Sequence, residues 1–194
     1  MQTNQYQALA MRTAKMFPTL QANLDHAALG IGSETGELAE TIAGNWMELS
    51  DSQGVVNIGE ECGDGCWYAA LMSDTMNWKF EDLLITDPAV VREMSFGLHK
   101  AAQTFSPTAL QLMLTAFSGE ILTIIKGFQV YNKTPDADKL KRYLSLYVTT
   151  LAFMSEVHGL LFADVLDTNI AKLQKRFPDK YSDADALARA DKVE

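Results

Sequence analysis

Apolar residues recur along this chain at spacings of three and four, without sustained alternation of apolar and polar positions. This periodicity places apolar side chains on one side of a helix, whereas a half-buried strand requires a period of two. Proline and glycine, which interrupt helices, are sparse inside the periodic segments. The sequence therefore predicts an all-α helical bundle, with helices at about 3–16, 22–46, 55–74, 89–104, 107–131, 136–158, 162–177 and 183–191.

The composition is that of a compact globular chain with an acidic balance. Of 194 residues, 47% are hydrophobic and 21% are charged, whereas disordered chains combine low hydrophobicity with high net charge. The formal net charge is −9, so we expect no binding to nucleic-acid polymers, which depends on clustered Lys and Arg. We find no targeting segment and no apolar run of the roughly 18 residues that span a bilayer. These features predict a cytoplasmic protein without a membrane partner.

The two cysteines do not indicate a disulfide framework or a zinc site. Cys62 and Cys66 are four residues apart, which places them one turn from each other on a helix. The three histidines, His26, His99 and His158, are scattered along the chain, so no Cys/His cluster is evident. We therefore expect both cysteines to be small core residues.

Acidic residues interrupt the apolar sides of two predicted helices. At about 100° per residue, Glu61 and Asp64 both fall within the apolar arc of the segment 58–72. On the preceding helix, Glu34 borders the apolar arc and Glu37 lies beside it. The chain thus carries two E-x-x-acid pairs, on two successive helices, at positions where a core is expected.

Buried carboxylates need a partner, because burial of an unpaired charge is costly. No Lys or Arg occurs between Lys15 and Lys79, so cations close in sequence cannot neutralise the four acids. Oxygen ligands from carboxylates suit Mg²⁺ or Mn²⁺, and Mg²⁺ usually completes its shell with water and substrate phosphate. The pattern indicates a divalent-cation site; the alternative is that the acids form ordinary solvated helix faces.

The two halves of the chain resemble each other. "GELAETIAGNWMEL" from Gly36 matches "GEILTIIKGFQVYN" from Gly119, and "FEDLL" from Phe80 matches "FADVL" from Phe162. The match predicts a diverged internal duplication, although amphipathic helices can also match by chance. In this alignment Glu120 takes the place of Glu37, and aromatic or apolar residues take the places of the other three acids: Phe117 for Glu34, Tyr143 or Leu144 for Glu61, and Leu146 or Tyr147 for Asp64.

At these motifs the chain resembles a known family. "HAALGIGSETGELAE" followed by "NIGEECGDGCWYAAL" resembles the E-x-x-E and E-x-x-D pair of the all-α nucleoside triphosphate pyrophosphohydrolases, the MazG-like superfamily that includes dimeric dUTPases. "NIAKLQKRFPDKYSDADALAR" resembles the C-terminal signature of phage and bacterial MazG-like proteins. The resemblance covers roughly residues 5–84 and 160–190. The interval between these segments is longer, by about one helical repeat, than in compact members.

The resemblance implies a function and a set of site residues. The four acids would be the catalytic Mg²⁺ ligands, with Mn²⁺ as a substitute: Glu34, Glu37, Glu61 and Asp64. Three residues of the C-terminal motif would contact phosphate: Asn169, Lys172 and Arg176. The reaction would release monophosphate and pyrophosphate from a (deoxy)nucleoside triphosphate, in a bacterial cell or a phage-infected host. We expect a homo-oligomer, with a dimer favoured.

The expected organisation is one domain with three parts. Residues 1–87 would form the acidic metal-binding repeat, 88–177 a degenerate repeat that ends in the phosphate-binding helix, and 178–194 a C-terminal tail. The preferred base is left open, with His26, Trp46, Trp67 and Tyr68 as candidates for stacking or edge contacts. Two other classes also stay open, a noncatalytic nucleotide sensor and a structural oligomerisation module.

Overall fold

The computed structural model describes residues 3–44, 51–85 and 106–192. These residues form seven α-helices and two short 3₁₀ helices, and no strand occurs among them. The α-helices are α1 Thr3–Met11, α2 Leu20–Gly44, α3 Asp51–Thr75, α4 Pro107–Tyr131, α5 Ala137–Val157, α6 Phe162–Arg176 and α7 Asp183–Ala188, and the 3₁₀ helices are Phe80–Leu83 and Ala190–Lys192. The predicted all-α class is confirmed.

Most predicted helix boundaries agree with the structure, and the exceptions have local causes. The first helix ends at Met11 rather than at 16, because the N–H and hydroxyl of Thr13 both donate to the Ala10 carbonyl and turn the chain. The third helix begins at Asp51 rather than at 55. The last one ends at Ala188, where Arg189 takes a left-handed conformation with φ of 48°. The predicted helix at 89–104 lies outside the described residues.

The long helices α4 and α5 carry recognisable end signals. Pro107 occupies the first turn of α4, where its missing N–H costs nothing, and the left-handed Asn132 ends that helix. Asp136 caps α5 by accepting a hydrogen bond from the Lys139 N–H at 3.0 Å. The five-residue connection therefore begins and ends with residues suited to helix termini.

Four long helices, α2 to α5, surround the main core. Helix α2 packs against α3 and α4, and α5 packs against the same two helices. Helices α1 and α6 pack on the outer side of α3 and against each other. The core includes Leu24, Ile31, Leu71, Leu114 and Leu144, all fully buried. This order places α6, which carries the basic residues of the C-terminal motif, beside the acidic helix α3.

A glycine allows α2 and α3 to approach closely. A Cβ atom at Gly30 would lie 2.2 Å from the Tyr68 ring, far inside van der Waals contact. The ring of Tyr68 therefore occupies the space that a side chain on α2 would need. This close packing brings the acidic residues of the two helices together.

Two further features of the helices concern the cysteines and the apolar length of α4. Cys62 and Cys66 are free thiols and fully buried, as predicted. Among the described helices, α4 is by length and composition apolar enough to cross a membrane, although no such segment was expected from the sequence. Buried residues make up 33% of its most apolar window, and core helices of soluble proteins meet the same criterion.

Candidate functional site

Three of the predicted acidic residues converge between α2 and α3. Glu34, Glu61 and Asp64 each offer a carboxylate oxygen, and these oxygens all lie within 4.8 Å of one another. All three side chains are half-buried, and we call them the acidic cluster. Glu37 is exposed and lies outside the cluster, although it borders the same cavity. Its role as a ligand stays a prediction.

Without a cation, the fully ionised form of the acidic cluster is electrostatically unfavourable. Burial, with the nearby charges of Asp64, Glu37 and Glu61, raises the pKa of Glu34 to about 8. Burial and the charge of Asp64 also raise the pKa of Glu61. In addition, Glu61 Oε2 is buried without a hydrogen-bond partner among the described residues. An added cation would relieve the repulsion and satisfy this oxygen.

Helix α6 supplies a cation that sequence proximity did not reveal. Lys172 Nζ lies 2.5 Å from Asp64 Oδ2, and Asn169 Nδ2 donates to Asp64 Oδ1 at 2.7 Å. The sequence near the acids holds no Lys or Arg, so any cationic partner has to come from elsewhere in the chain. Packing of α6 on α3 brings such a partner to Asp64, while Glu34 and Glu61 have no ion pair within 4.0 Å in the described structure.

A buried tyrosine orients Asn169, and the sequence analysis missed it. The fully buried Tyr6 on α1 donates its hydroxyl to Asn169 Oδ1 at 2.8 Å, which leaves the amide nitrogen of Asn169 to face Asp64. The close contact also needs Gly63, where a Cβ would lie 2.9 Å from the Asn169 Cβ. The sequence gives no sign of this contact, because Tyr6 and Asn169 are 163 residues apart.

Arg176 reaches the same cavity but is paired with Asp191. Its Nε and Nη2 lie 2.5 and 2.6 Å from the two carboxylate oxygens of Asp191, in a bidentate arrangement. Hydrogen bonding to Arg176 lowers the pKa of Asp191. Arg176, a predicted phosphate ligand, thus has a partner in the final 3₁₀ helix that the sequence motif does not reveal.

One cavity of about 440 Å³ collects the predicted polar residues and several aromatic rings. Its acidic lining consists of Glu34, Glu37, Glu60, Glu61 and Asp64. Its basic lining consists of Lys15, Lys172, Arg176, Arg189 and Lys192. Its aromatic lining consists of His26, Trp67, Tyr68, Phe177 and Tyr181. Asn169 contributes indirectly, through Asp64. The cavity thus combines cation ligands, anion ligands and apolar ring surfaces.

The aromatic part of the cavity is tightly packed. His26 makes edge contacts with Trp67 and Tyr68, at ring-centroid distances of 6.1 and 5.7 Å. Burial lowers the pKa of His26, so the neutral ring predominates at neutral pH. Its Nδ1 is buried without a hydrogen-bond partner in the described part of the chain. These three base-contact candidates border the cavity, whereas Trp46 lies outside the described residues.

The donor chemistry of the acidic cluster fits a hard divalent cation. All three candidate ligands are carboxylates, and both cysteines are buried in the core rather than part of the cluster. Carboxylate oxygens suit Mg²⁺ and Mn²⁺ better than softer metals.

Comparison of the chain with protein-family models, curated proteins and solved structures gave no match. A functional assignment therefore depends on the chemistry of this cavity.

Proposed function

We propose that this protein is a Mg²⁺-dependent pyrophosphohydrolase of (deoxy)nucleoside triphosphates, of the all-α MazG-like type. The main supporting observation is that one cavity joins three converging carboxylates to Lys172 and Arg176. A triphosphate carries the anionic oxygens that such cations attract, and the aromatic side chains offer surfaces for a base. The volume of about 440 Å³ lies within the range of small-molecule sites.

The acidic cluster would hold the cation, with Glu37 available as a fourth ligand from the cavity wall. When bound, Mg²⁺ supplies charge neutralisation, polarisation of the α-phosphoryl group and activation of the attacking water. Mn²⁺, which also prefers oxygen ligands, would substitute for it. The buried, unpartnered oxygen of Glu61 supports this assignment, because coordination would satisfy it.

The residues of α6 would act on the phosphate chain. Lys172 now neutralises Asp64, and a cation at the acidic cluster would take over that task. Lys172 would then be free to turn towards substrate phosphate, where it and Arg176 would offset the charge of the leaving pyrophosphate. Asn169, held by Tyr6, would keep Asp64 in place during this exchange.

The attacking water also needs a proton acceptor. Glu37 is our candidate, because it borders the cavity and lies outside the acidic cluster. If Glu37 instead ligates the metal, another glutamate of the cavity would take the proton. A change in the pH dependence of kcat in Glu37→Gln, with metal affinity retained, would support the first assignment.

The proposal includes a cellular setting and an assembly. The protein would control or cleanse the nucleotide pool in the cytoplasm of a bacterium or a phage-infected host, and it would act as a homodimer. Sedimentation of the purified protein at several concentrations would test the dimer. A single species with the mass of one chain, 21.4 kDa, would contradict it.

The test of activity is a panel of canonical ribo- and deoxynucleoside triphosphates incubated with the purified protein and Mg²⁺. Product separation should show monophosphate and pyrophosphate, formed only with metal, and would also identify the preferred base. Diphosphate and phosphate would contradict the proposed bond cleavage. Nucleotide binding without turnover in Mg²⁺ and in Mn²⁺ would favour the sensor, and absence of binding would favour the structural module.

A further inference from the structure

The C-terminal residues 182–192, which we call the closing segment, are attached to the cavity mainly by charged groups. Lys15 binds Asp183 at 2.6 Å, and Lys192 lies 3.3 Å from Glu60. Helix α7, at the centre of this segment, buries none of its residues. Apart from Ala186, which packs against the hydrophobic core, the closing segment is held by polar contacts with the rest of the chain at or near the cavity.

The contact between Arg176 and Asp191 is the most enclosed of these pairs. The Asp191 side chain is 0% exposed and the Arg176 side chain 21%. Among the described residues, Arg176 borders the cavity and Asp191 does not. The carboxylate thus lies behind the guanidinium, away from the space that a ligand would occupy.

This geometry leaves donors of Arg176 for a ligand. A guanidinium carries five N–H groups in one plane, and the bidentate pair with Asp191 uses one on Nε and one on Nη2. The remaining N–H groups belong to Nη1 and Nη2. A buried carboxylate that fixes the plane also reduces the rotamer freedom that a long side chain would lose on binding phosphate.

Two residues close to Asp191 in the sequence add positive charge to the same cavity. Arg189 and Lys192 both border it, so the closing segment contributes cations as well as the buried carboxylate. These cations favour an anionic ligand, and so would a metal ion bound by the acidic cluster of the same cavity.

We infer that Asp191 is a positioning residue that holds Arg176 ready for a polyphosphate, and that the closing segment is part of the ligand site. The inference relies on the proposed function only in that the ligand carries a polyphosphate. An opposite arrangement would have Asp191 compete with phosphate for Arg176. The two arrangements predict opposite effects of neutralising Asp191.

The experiment measures binding of inorganic tripolyphosphate with Mg²⁺ to the purified 194-residue chain by calorimetry. Asp191→Asn should weaken affinity about tenfold, because Arg176 loses its fixed orientation. Asp179→Asn is the matched control, since it removes the same charge from the C-terminal region at an exposed position, and it should change affinity less than about twofold. Thermal melting of each variant would verify folding.

A double-mutant cycle separates positioning from general support of the fold. If Asp191 acts through Arg176, Asp191→Asn should have no further effect on affinity in an Arg176→Ala background. A tenfold loss that persists in that background would overturn the inference, and so would tighter binding by the single variant Asp191→Asn. Absence of tripolyphosphate binding by the wild-type protein would overturn it as well.

Failure of this inference about Asp191 can be distinguished from failure of the proposed function. Tripolyphosphate binding that depends on Asp191 through Arg176, without nucleotide hydrolysis, would contradict the enzyme assignment alone. Nucleotide hydrolysis with unchanged tripolyphosphate affinity in Asp191→Asn would contradict the role of Asp191 alone.

Discussion

The helix pairs α2/α3 and α4/α5 are similar in length and pack against each other, but the surroundings of their acidic residues differ. In α2/α3, three carboxylates converge, and Glu34 and Glu61 have raised pKa values. In α4/α5, Glu120 pairs with Lys139 at 3.0 Å, with both side chains more than 40% exposed. The position aligned with Glu34 holds Phe117, which packs near Tyr143 with ring centroids 6.3 Å apart.

This difference supports the acidic cluster as the site of the proposed cation. Glu120 of α4 is neutralised by Lys139 of α5 in contact with water, so its charge needs no further partner. The acidic cluster of α2/α3 receives one lysine from α6 for three carboxylates, and a buried oxygen remains without a partner. The internal duplication itself stays a prediction, but the contrast in charge does not depend on it.

The largest expected effect is a loss of kcat on substitution in the helix pair α2/α3 that the matched substitution in α4/α5 does not cause. Glu61→Gln should lower kcat about 1,000-fold, because it removes a charged ligand from the acidic cluster. Glu120→Gln, the matched change in α4, should leave kcat within about twofold. Steady-state assays of pyrophosphate release would measure both, and equal losses in the two variants would contradict the comparison.

The fold should tolerate Glu61→Gln better than Asp64→Asn. Glu61→Gln removes repulsion from a group whose pKa is raised, so the metal-free protein should be as stable as the wild type or more stable. Asp64 differs, because Asp64→Asn deprives the half-buried Lys172 of its ion pair. Denaturant unfolding without metal should therefore show a loss of stability for Asp64→Asn only.

A second contrast concerns helix glycines. Gly30→Ala should destabilise the protein by about 2–3 kcal/mol, because the added Cβ would lie 2.2 Å from the Tyr68 ring. Gly119→Ala should stabilise it by about 0.5–1 kcal/mol, since nothing lies within 4 Å and alanine favours the helix. Urea unfolding would measure both changes, and equal effects would show that the helix pairs are equally tight.

The raised pKa of Glu34 predicts a pH dependence in the metal-free protein. Its carboxyl has a pKa of about 8 when folded, against 4.5 as the ordinary value, so the folded state binds the proton more tightly. Stability from this group is therefore full below about pH 4.5 and is lost as the pH rises through about 8. Unfolding free energies between pH 5 and about 9 should fall more steeply in the wild type than in Glu34→Gln.

Mg²⁺ provides the control for that pH series. Because the ion binds ionised carboxylates in the folded state, its stabilising effect should increase as the pH rises. Mg²⁺ should raise the Tm of the wild type and of Glu120→Gln but not that of Glu61→Gln. An equal rise in all three proteins would place the ion outside the acidic cluster.

The smallest effect is expected from the ion pair of α4/α5. Lys139→Ala removes the partner of Glu120 at a solvent-exposed position and should cost less than about 1 kcal/mol. It should change neither kcat nor the rise in Tm with Mg²⁺. A loss of activity in this variant would show that the second helix pair contributes to the site.

Sequence reasoning succeeded where the signal is local. The three-and-four spacing identified every long helix that the structure describes, and the positions of Glu34, Glu61 and Asp64 within apolar arcs correctly marked them as unusual. It could not identify their partners. Lys172 is 108 residues from Asp64, and Tyr6 is 163 residues from Asn169.

The sequence by itself determined the helical class and the acidic positions, because helix periodicity and side-chain direction follow from residues a few positions apart. Only the tertiary structure decided which basic side chain forms an ion pair with which acid. Packing of α6 on α3 assigned Lys172 to Asp64, and the final 3₁₀ helix assigned Asp191 to Arg176. These pairings depend on how closely whole helices approach each other. Glycines such as Gly63 permit a close approach, because they leave room for a side chain of the neighbouring helix.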